Sequence, residues 1–175
     1  RDNGGYILVC ADTDMTSMAG TVDVYCDEEI DFAVGTKMLH FLPEKNTKEF
    51  VPPSCSIFNE ASAEVCTIVG KNMFKYDICK GLFTSVHNDV HTADLTSITL
   101  DCPRGRRCFI GCGNGDVLLV NYMSGDIISS VSVHKKDVNC VVSIQGARNN
   151  VYSGSADGSI AICEEHKGIK MIKKV

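Results

Sequence analysis

Two stretches decide the fold: Phe109-Ile-Gly-Cys-Gly-Asn-Gly-Asp-Val-Leu-Leu-Val120 and Tyr152-Ser-Gly-Ser-Ala-Asp-Gly-Ser-Ile-Ala-Ile-Cys163. The second repeats the pattern of the first 43 residues later. The same offset of 43 carries His91 to His134, Asn114 to Asp157, Gly115 to Gly158 and Gly125 to Gly168. A fixed period of this size, with a glycine-rich turn in each copy, is the mark of repeated four-stranded units. Asn114-Gly115 and Asp157-Gly158 supply the positive φ that a tight hairpin needs. Each copy is therefore read as strand, turn, strand.

Working outward, 116–122 and 126–133 are β-branched runs separated by Met123-Ser124-Gly125. Residues 129–133 partly alternate polar and apolar, as a half-exposed strand does. Helical signals are few. Residues 60–64 could form a single turn, too short to stand alone.

With 175 residues the chain can bury a substantial core. Its 17 Lys+Arg against 22 Asp+Glu, a net charge of −5, argue against nucleic acid as the partner. No apolar run is long enough to span a bilayer, and no signal-peptide pattern opens the chain. Opening at Arg1 rather than Met is expected of a fragment. The ten cysteines contain no Cys-x-x-Cys pair, so zinc-ribbon and redox spacings are absent. Several lie in strand-like apolar runs, such as Cys10 and Cys163, and read as reduced core residues of an intracellular protein. Disulfides in a secreted domain are the alternative. No Asn-x-Ser/Thr acceptor occurs.

Residues 102–121 resemble the WD-repeat core, which reads Ser-Pro-Asp-Gly-x-x-Leu-Ala-Ser-Gly and then x-Asp-Gly-Thr-Val-x-x-Trp-Asp. Residues 153–162 match its second part closely. Tyr76-Asp77 before Lys80-Gly81, and residues 20–26, are fainter copies. The position of the family's Trp falls at Tyr25, Tyr76, Val120 and Cys163, spaced 51, 44 and 43 apart. The sequence has no Trp. In the family a His, a Ser or Thr, an Asp and the Trp brace each unit. The resemblance assigns that bracing to His134, Ser153 or Ser155, and Asp157 in the last unit, and to His91 with Asn114 in the one before. Cys163 makes no strong hydrogen bond in the place of Trp.

The resemblance implies an all-β fold, a partial β-propeller of about four four-stranded antiparallel blades spanning 1–175. The blades fall near 1–41, lacking the inner strand a, then 54–90, 91–133 and 134–175, with an inserted loop at 42–53. The expected strands are 5–11, 20–26 and 32–41 in blade one and 54–59, 64–69, 72–78 and 82–87 in blade two. Those of blade three are 94–101, 107–112, 116–122 and 126–133; those of blade four are 137–144, 150–155, 158–164 and 168–175. Such an arc leaves open blade faces, which repeat units cannot bury alone. Further blades, or self-association through those faces, are the expectation.

His87 and His91 lie four apart, a spacing that helical zinc sites use with a Glu after the first His. Here Asn88 follows His87 in a strand-to-strand connection, so bracing by His91 is preferred and no metal or cofactor is assigned. Arg104-Gly-Arg-Arg107 reads as an exposed turn before it reads as a phosphate contact. Lys167, Lys170, Lys173 and Lys174 read as guards of an outer edge strand. No nucleophile elbow, P-loop or dinucleotide fingerprint occurs, and an enzyme is not expected.

The insertions are more informative. Residues 13–19 form an enlarged b–c loop, and 42–53 a charged d–a loop. In a propeller both emerge on one face, and long loops in compact repeats carry function. The expected partner face is Thr13, Met15, Ser17, Glu44, Lys45, Lys48, Asn88, Asp89, Lys135 and Lys136. The resulting reading is an intracellular scaffold, cytoplasmic or nuclear, that presents a rigid face to protein or peptide partners. The alternatives are a propeller with a metal-dependent enzymatic role, or one that binds RNA or phospholipid through Arg104–Arg107 and the tail lysines.

Overall fold

The computed structural model describes residues 7–14, 19–26, 36–41, 53–80, 82–101, 105–144, 150–165 and 168–175. Among them, fifteen strands form four antiparallel sheets. The first sheet holds β1 (Ile7–Asp14), β2 (Ala19–Cys26) and β3 (Thr36–Phe41). The second holds β4 (Pro53–Asn59), β5 (Glu64–Val69), β6 (Asn72–Asp77) and β7 (Leu82–His87). The third holds β8 (Leu95–Leu100), β9 (Arg107–Cys112), β10 (Asp116–Asn121) and β11 (Ile127–Ser132). The fourth holds β12 (Val138–Ile144), β13 (Asn150–Ser155), β14 (Ile160–Glu165) and β15 (Ile169–Lys174).

Every sheet is a meander in sequence order. The first strands lie side by side, β1 against β4, β4 against β8 and β8 against β12. This is the radial stacking of propeller blades, and the arc is not closed. Among the described residues there is no helix, and so none long and apolar enough to cross a membrane.

A β-bulge recurs between the last two strands of every sheet. It falls at Val24/Tyr25, Lys75/Tyr76, Leu119/Val120 and Ile162/Cys163. These are the four positions that sequence spacing aligned with the family's Trp. An unpaired extra residue bends the strand and increases its twist. The repeat is thus kept in backbone geometry even at Val120 and Cys163, where no aromatic residue stands.

Two expectations need correction. β1 extends to Asp14, with Thr13 opposite Gly20 and Asp14 opposite Ala19. Thr13 is therefore a strand residue, because the ladder continues past the expected loop edge. The outer strand of the first sheet is described over Thr36–Phe41, and the expected part at 32–35 lies outside the described residues. Residues 60–63 form a turn between β4 and β5, with Ala63 at φ 52, which no helical turn allows.

The core lies between blades. One cluster joins Cys66, Ile68 and Met73 of the second sheet to Leu95, Ile110, Leu118 and Tyr122 in or beside the third. Another joins Phe109, Val117 and Leu119 of the third to Val138, Val141, Val151, Ala161 and Cys163 of the fourth. Each fully buried Val, Leu, Ile, Phe or Met contributes about 1.5–3 kcal/mol. Glycine governs how closely the blades approach. A Cβ on Gly111 would stand 2.6 Å from both Ser97 Oγ and Val138 Cγ1.

Seven cysteines among the described residues are free thiols. Cys66, Cys108, Cys112 and Cys163 are buried as expected, whereas Cys79 and Cys140 are exposed. Burial pushes the thiols of Cys108 and Cys112 up to about 12 and that of Cys163 up to about 11.

Lys75 is the most unexpected core residue, 2% exposed between Phe74 and Tyr76. Its ammonium donates to the carbonyls of Tyr122 at 2.7 Å and Met123 at 3.1 Å, and lies 4.8 Å from the centre of the Tyr122 ring. Burial lowers its pKa, and the nearby Glu64 opposes that shift. The Lys75 cation ties the third strand of one blade to the turn after the third strand of the next.

Candidate functional site: the loop face

At one end of the strands, the loops leading into β8 and β12 are each stitched to the hairpin turns of two successive blades. Val90 N–H donates to Lys71 O at 2.9 Å, Leu95 N–H to Gly70 O at 2.7 Å, and Gly113 N–H to Asp94 O at 2.9 Å. Asp89 N–H donates to Asn72 Oδ1 at 3.0 Å, which holds Asp89 at φ 49. In the next loop Val133 and His134 N–H both donate to Gly115 O, and Ala156 N–H donates to Asp137 O. Gly115 has no substitute there. Its φ is 91, and a Cβ would stand 2.2 Å from His134 O.

His134 anchors the second loop. Its Nε2 lies 2.9 Å from Ser153 Oγ, and its Nδ1 lies 2.9 Å from Ser159 Oγ. Ser159 Oγ donates to Asp157 Oδ1. That donation uses the hydroxyl's proton, so in the neutral ring Nδ1 donates to Ser159 and Nε2 accepts from Ser153. His134 Nδ1 is 3.5 Å from Asp157 Oδ1. Asp157 Oδ2 also accepts from Lys135 N–H at 3.0 Å and from Lys174 Nζ at 3.0 Å. The Ser159 hydrogen bond, followed by the Lys135 amide, holds the Asp157 carboxyl far below the usual range.

The structure thus brings together His134, Ser153 and Asp157, through a serine that the sequence reading missed. Ser155 stands apart, donating to Lys136 O at 3.1 Å and accepting from Asp157 N–H at 3.1 Å. Cys163 packs in the apolar core beneath. Lys174 does not guard an edge. It turns inward to Val133 O, at 2.7 Å, and to Asp157.

The preceding unit is built differently. His91 Nδ1 accepts from Ala93 N–H at 3.2 Å, so the neutral ring carries its proton on Nε2. That nitrogen is 3.6 Å from Asp116 Oδ2. Asn114 does not act on His91 directly. Its Nδ2 donates to the same Asp116 Oδ2 at 2.7 Å, and its Oδ1 accepts from Asp116 N–H. Asp116 occupies the repeat position of Ser159, so the acid has moved two residues along the turn and the tautomer has reversed.

His87 and His91 have separate partners. His87 Nε2 lies 3.2 Å from Ser85 Oγ, and burial followed by the Lys75 charge lowers its pKa. Among the described residues no group of three His, Cys, Asp or Glu side chains could hold a metal ion.

Asn88, Asp89, Lys135 and Lys136 are exposed. Met15, Ser17, Glu44, Lys45 and Lys48 lie outside the described residues, as does Arg104. Arg107 is no turn residue. It lies in β9, paired with Asp101 and, through both terminal nitrogens at 3.0 and 3.3 Å, with Glu165 of the next blade. Beside the first loop is a shallow groove of about 390 Å³, lined by Lys71, Asp89, Val90, His91, Thr92 and Ile127. Its mixed charged and apolar lining went unseen in the sequence because Ile127 comes from β11, the outer strand of the following blade.

Stacked four-stranded meanders with these turns and loops define the WD40-repeat β-propeller fold. No protein-family model matches the chain, and a search of curated proteins finds no match. Many solved structures do match. The crystal structure of Sqt1 from Chaetomium thermophilum superposes with a TM-score of 0.72 at 15% identity, over 96% of this chain and 43% of that one. Sqt1 bound to the N-terminus of ribosomal protein L10 gives a TM-score of 0.72 at 15% identity, over 95% and 45%. The WD40 repeats of RRP9 give 0.63 at 12% identity, over 74% and 40%. At these identities the likeness is one of fold, and the chain spans less than half the length of each of these structures.

Proposed function

We propose that this chain is a protein-interaction module that binds an extended peptide or protein segment on its loop face, without chemistry. The observation that carries this is the stitched loop face itself. Backbone bonds and the His134 network fix the loops, so Asn88, Asp89, Lys135 and Lys136 are presented on a rigid frame. Rigid presentation lowers the ordering cost of binding. The groove beside His91 adds Val90 and Ile127 as apolar lining together with the charged Lys71 and Asp89. It suits a peptide with an apolar side chain flanked by charges. Sqt1, of similar fold, has been crystallised with a peptide-like partner, the N-terminus of ribosomal protein L10. The proposal extends to Thr13, Met15, Ser17, Glu44, Lys45 and Lys48, which belong by sequence to the same face.

The test is a peptide array probed with the chain and three variants. Lys135→Glu with Lys136→Glu, and deletion of 43–52, are expected to lose the bound peptides. Arg106→Glu, exposed at the opposite end of the strands, is expected to keep them. Equal binding by all four proteins would refute the loop-face reading.

A further inference from the structure

We propose that the free edge of β11 is a self-complementary surface, and that its partner is the β11 edge of a second copy of this chain, laid antiparallel about a two-fold axis. β11 is the outermost strand of the third sheet and pairs only with β10. Val133 N–H donates to Gly115 O. By the alternation of an antiparallel ladder, Val131 and Ser129 then bond toward β10, and Ser130 and Ser132 turn their N–H and C=O groups outward. Both serines are exposed. Unpaired backbone groups in a row are a template for another strand.

Edges of this kind are ordinarily guarded by charge or proline. The corresponding strand of the next blade, β15, carries the exposed Lys170 and Lys173. β11 reads Ile-Ile-Ser-Ser-Val-Ser, with neither. By the 43-residue offset, Ser130 stands where β15 has Lys173 and Ile127 where it has Lys170. Met123, Ile127 and Ile128, at or before the start of the strand, are exposed as well. Ser129 Oγ accepts Ile169 N–H of the next blade at 3.1 Å. The strand is thereby fixed before a partner arrives, which lowers the ordering cost of pairing.

The register identifies the partner. The outward groups pair reciprocally when Ser130 of one copy lies opposite Ser132 of the second copy, with the two Val131 residues meeting on the axis. Each outward N–H then meets an outward C=O. The same pairing sets Asp126, at the start of one strand, toward the end where the other strand runs on into Lys135 and Lys136, all three exposed. From Asp126 to Lys136 the chain is acidic, then uncharged and rich in β-branched residues and serine, then basic, so it complements itself when reversed. β7 is uncharged too, but Lys80, the cation before it, is already paired with Asp77. Two six-residue edges make a small contact, so the dimer is weak and concentration-dependent.

The test is sedimentation of the chain at low salt over a range of concentration, which reads this contact apart from peptide capture. A monomer–dimer equilibrium is expected, with the Ser130 and Ser132 amides exchanging hydrogen more slowly as concentration rises. Proline is tolerated on an edge strand where its nitrogen faces solvent. Ser130→Pro is therefore expected to keep the circular dichroism of the chain and to weaken dimerisation at least about tenfold. If Ser130→Pro does not fold, Ser130→Lys, which installs the guard of β15, is expected to do the same. Asp126→Lys is expected to weaken the dimer, and Lys135→Asp with Lys136→Asp in the same chain to restore it. Ile160→Asp, on the exposed apolar face of the fourth blade, is expected to leave it unchanged. A monomer at every concentration up to about 1 mM would overturn the proposal. So would a dimer indifferent to the Ser130 variants, or one abolished by Ile160→Asp.

Discussion

His134 is the residue on which the loop face turns, and its removal gives the most informative measurement. The ring is 5% exposed and makes two hydrogen bonds, to Ser153 and Ser159. His134→Ala deletes both, at about 1 kcal/mol each, and leaves the Ser153 hydroxyl buried without its partner, at about 1–3 kcal/mol. Ser159 keeps Asp157 as acceptor, so it adds little. The expected loss is about 3–5 kcal/mol. In a chain of 175 residues this lowers the melting temperature by roughly 6–20 °C. Ser153→Ala removes one bond and orphans Nε2, for about 2 kcal/mol. Once His134 is gone, removing the orphaned Ser153 hydroxyl costs nothing further, so the double variant should be no less stable than His134→Ala alone. That corresponds to a coupling of at least about 2 kcal/mol. Urea unfolding followed by far-UV circular dichroism or tyrosine emission reads all four proteins, since the chain has no Trp. Additive single effects, or a His134→Ala loss below about 1 kcal/mol, would refute the bracing derived from these distances.

Three further outcomes are expected. The buried Tyr122 hydroxyl lies beside the Asn59 side chain without a well-formed hydrogen bond, so Tyr122→Phe should change urea stability by less than about 1 kcal/mol; a larger loss would reveal a strong bond to Asn59. The Asp157 carboxyl is held below its ordinary 3.8, so its stabilisation is complete above that value and is lost progressively as the pH falls from it toward the lower folded-state value. Asp157→Asn should therefore flatten the acid limb of the stability curve below about pH 5, and an equally steep limb would contradict the assignment. Mapped alkylation of the native chain should modify Cys79 and Cys140 first and leave Cys66, Cys108, Cys112 and Cys163 unmodified until unfolding.

Most of the strand order was legible because turn chemistry and spacing are local. Asn114-Gly115 and Asp157-Gly158 mark hairpins whatever surrounds them, and the 43-residue offset carries strand positions from one blade to the next. What stayed hidden is what depends on the adjacent blade. Lys75 alternates with Phe74 and Tyr76 like a solvent-facing strand residue, yet the carbonyls of Tyr122 and Met123 draw it under the neighbouring turn. Arg107 looked like part of a solvated basic turn until Asp101 and Glu165 closed on it. The loop bracing was half legible. His134, Ser153 and Asp157 could be named from the repeat, but Ser159 could not. Its counterpart Asp116 is a different residue type that does a related task from the same position, so a letter-by-letter alignment passes over both.

The interface between the third and fourth blades has a direction. One side brings Phe109, Leu119 and the Gly111 seat; the other brings Val138, Val141 and Ala161. Neither side is complementary to itself, so a two-fold axis cannot run through such a contact. Assembly through it is head-to-tail, and the small rotation from blade to blade then sets the outcome. Where the rotations sum to a full circle, the stack closes and shields its own ends. Where they do not, the same contacts generate a helical filament. Gly111 and Val138 thus give the contact its polarity, a seat on one blade and a knob on the next.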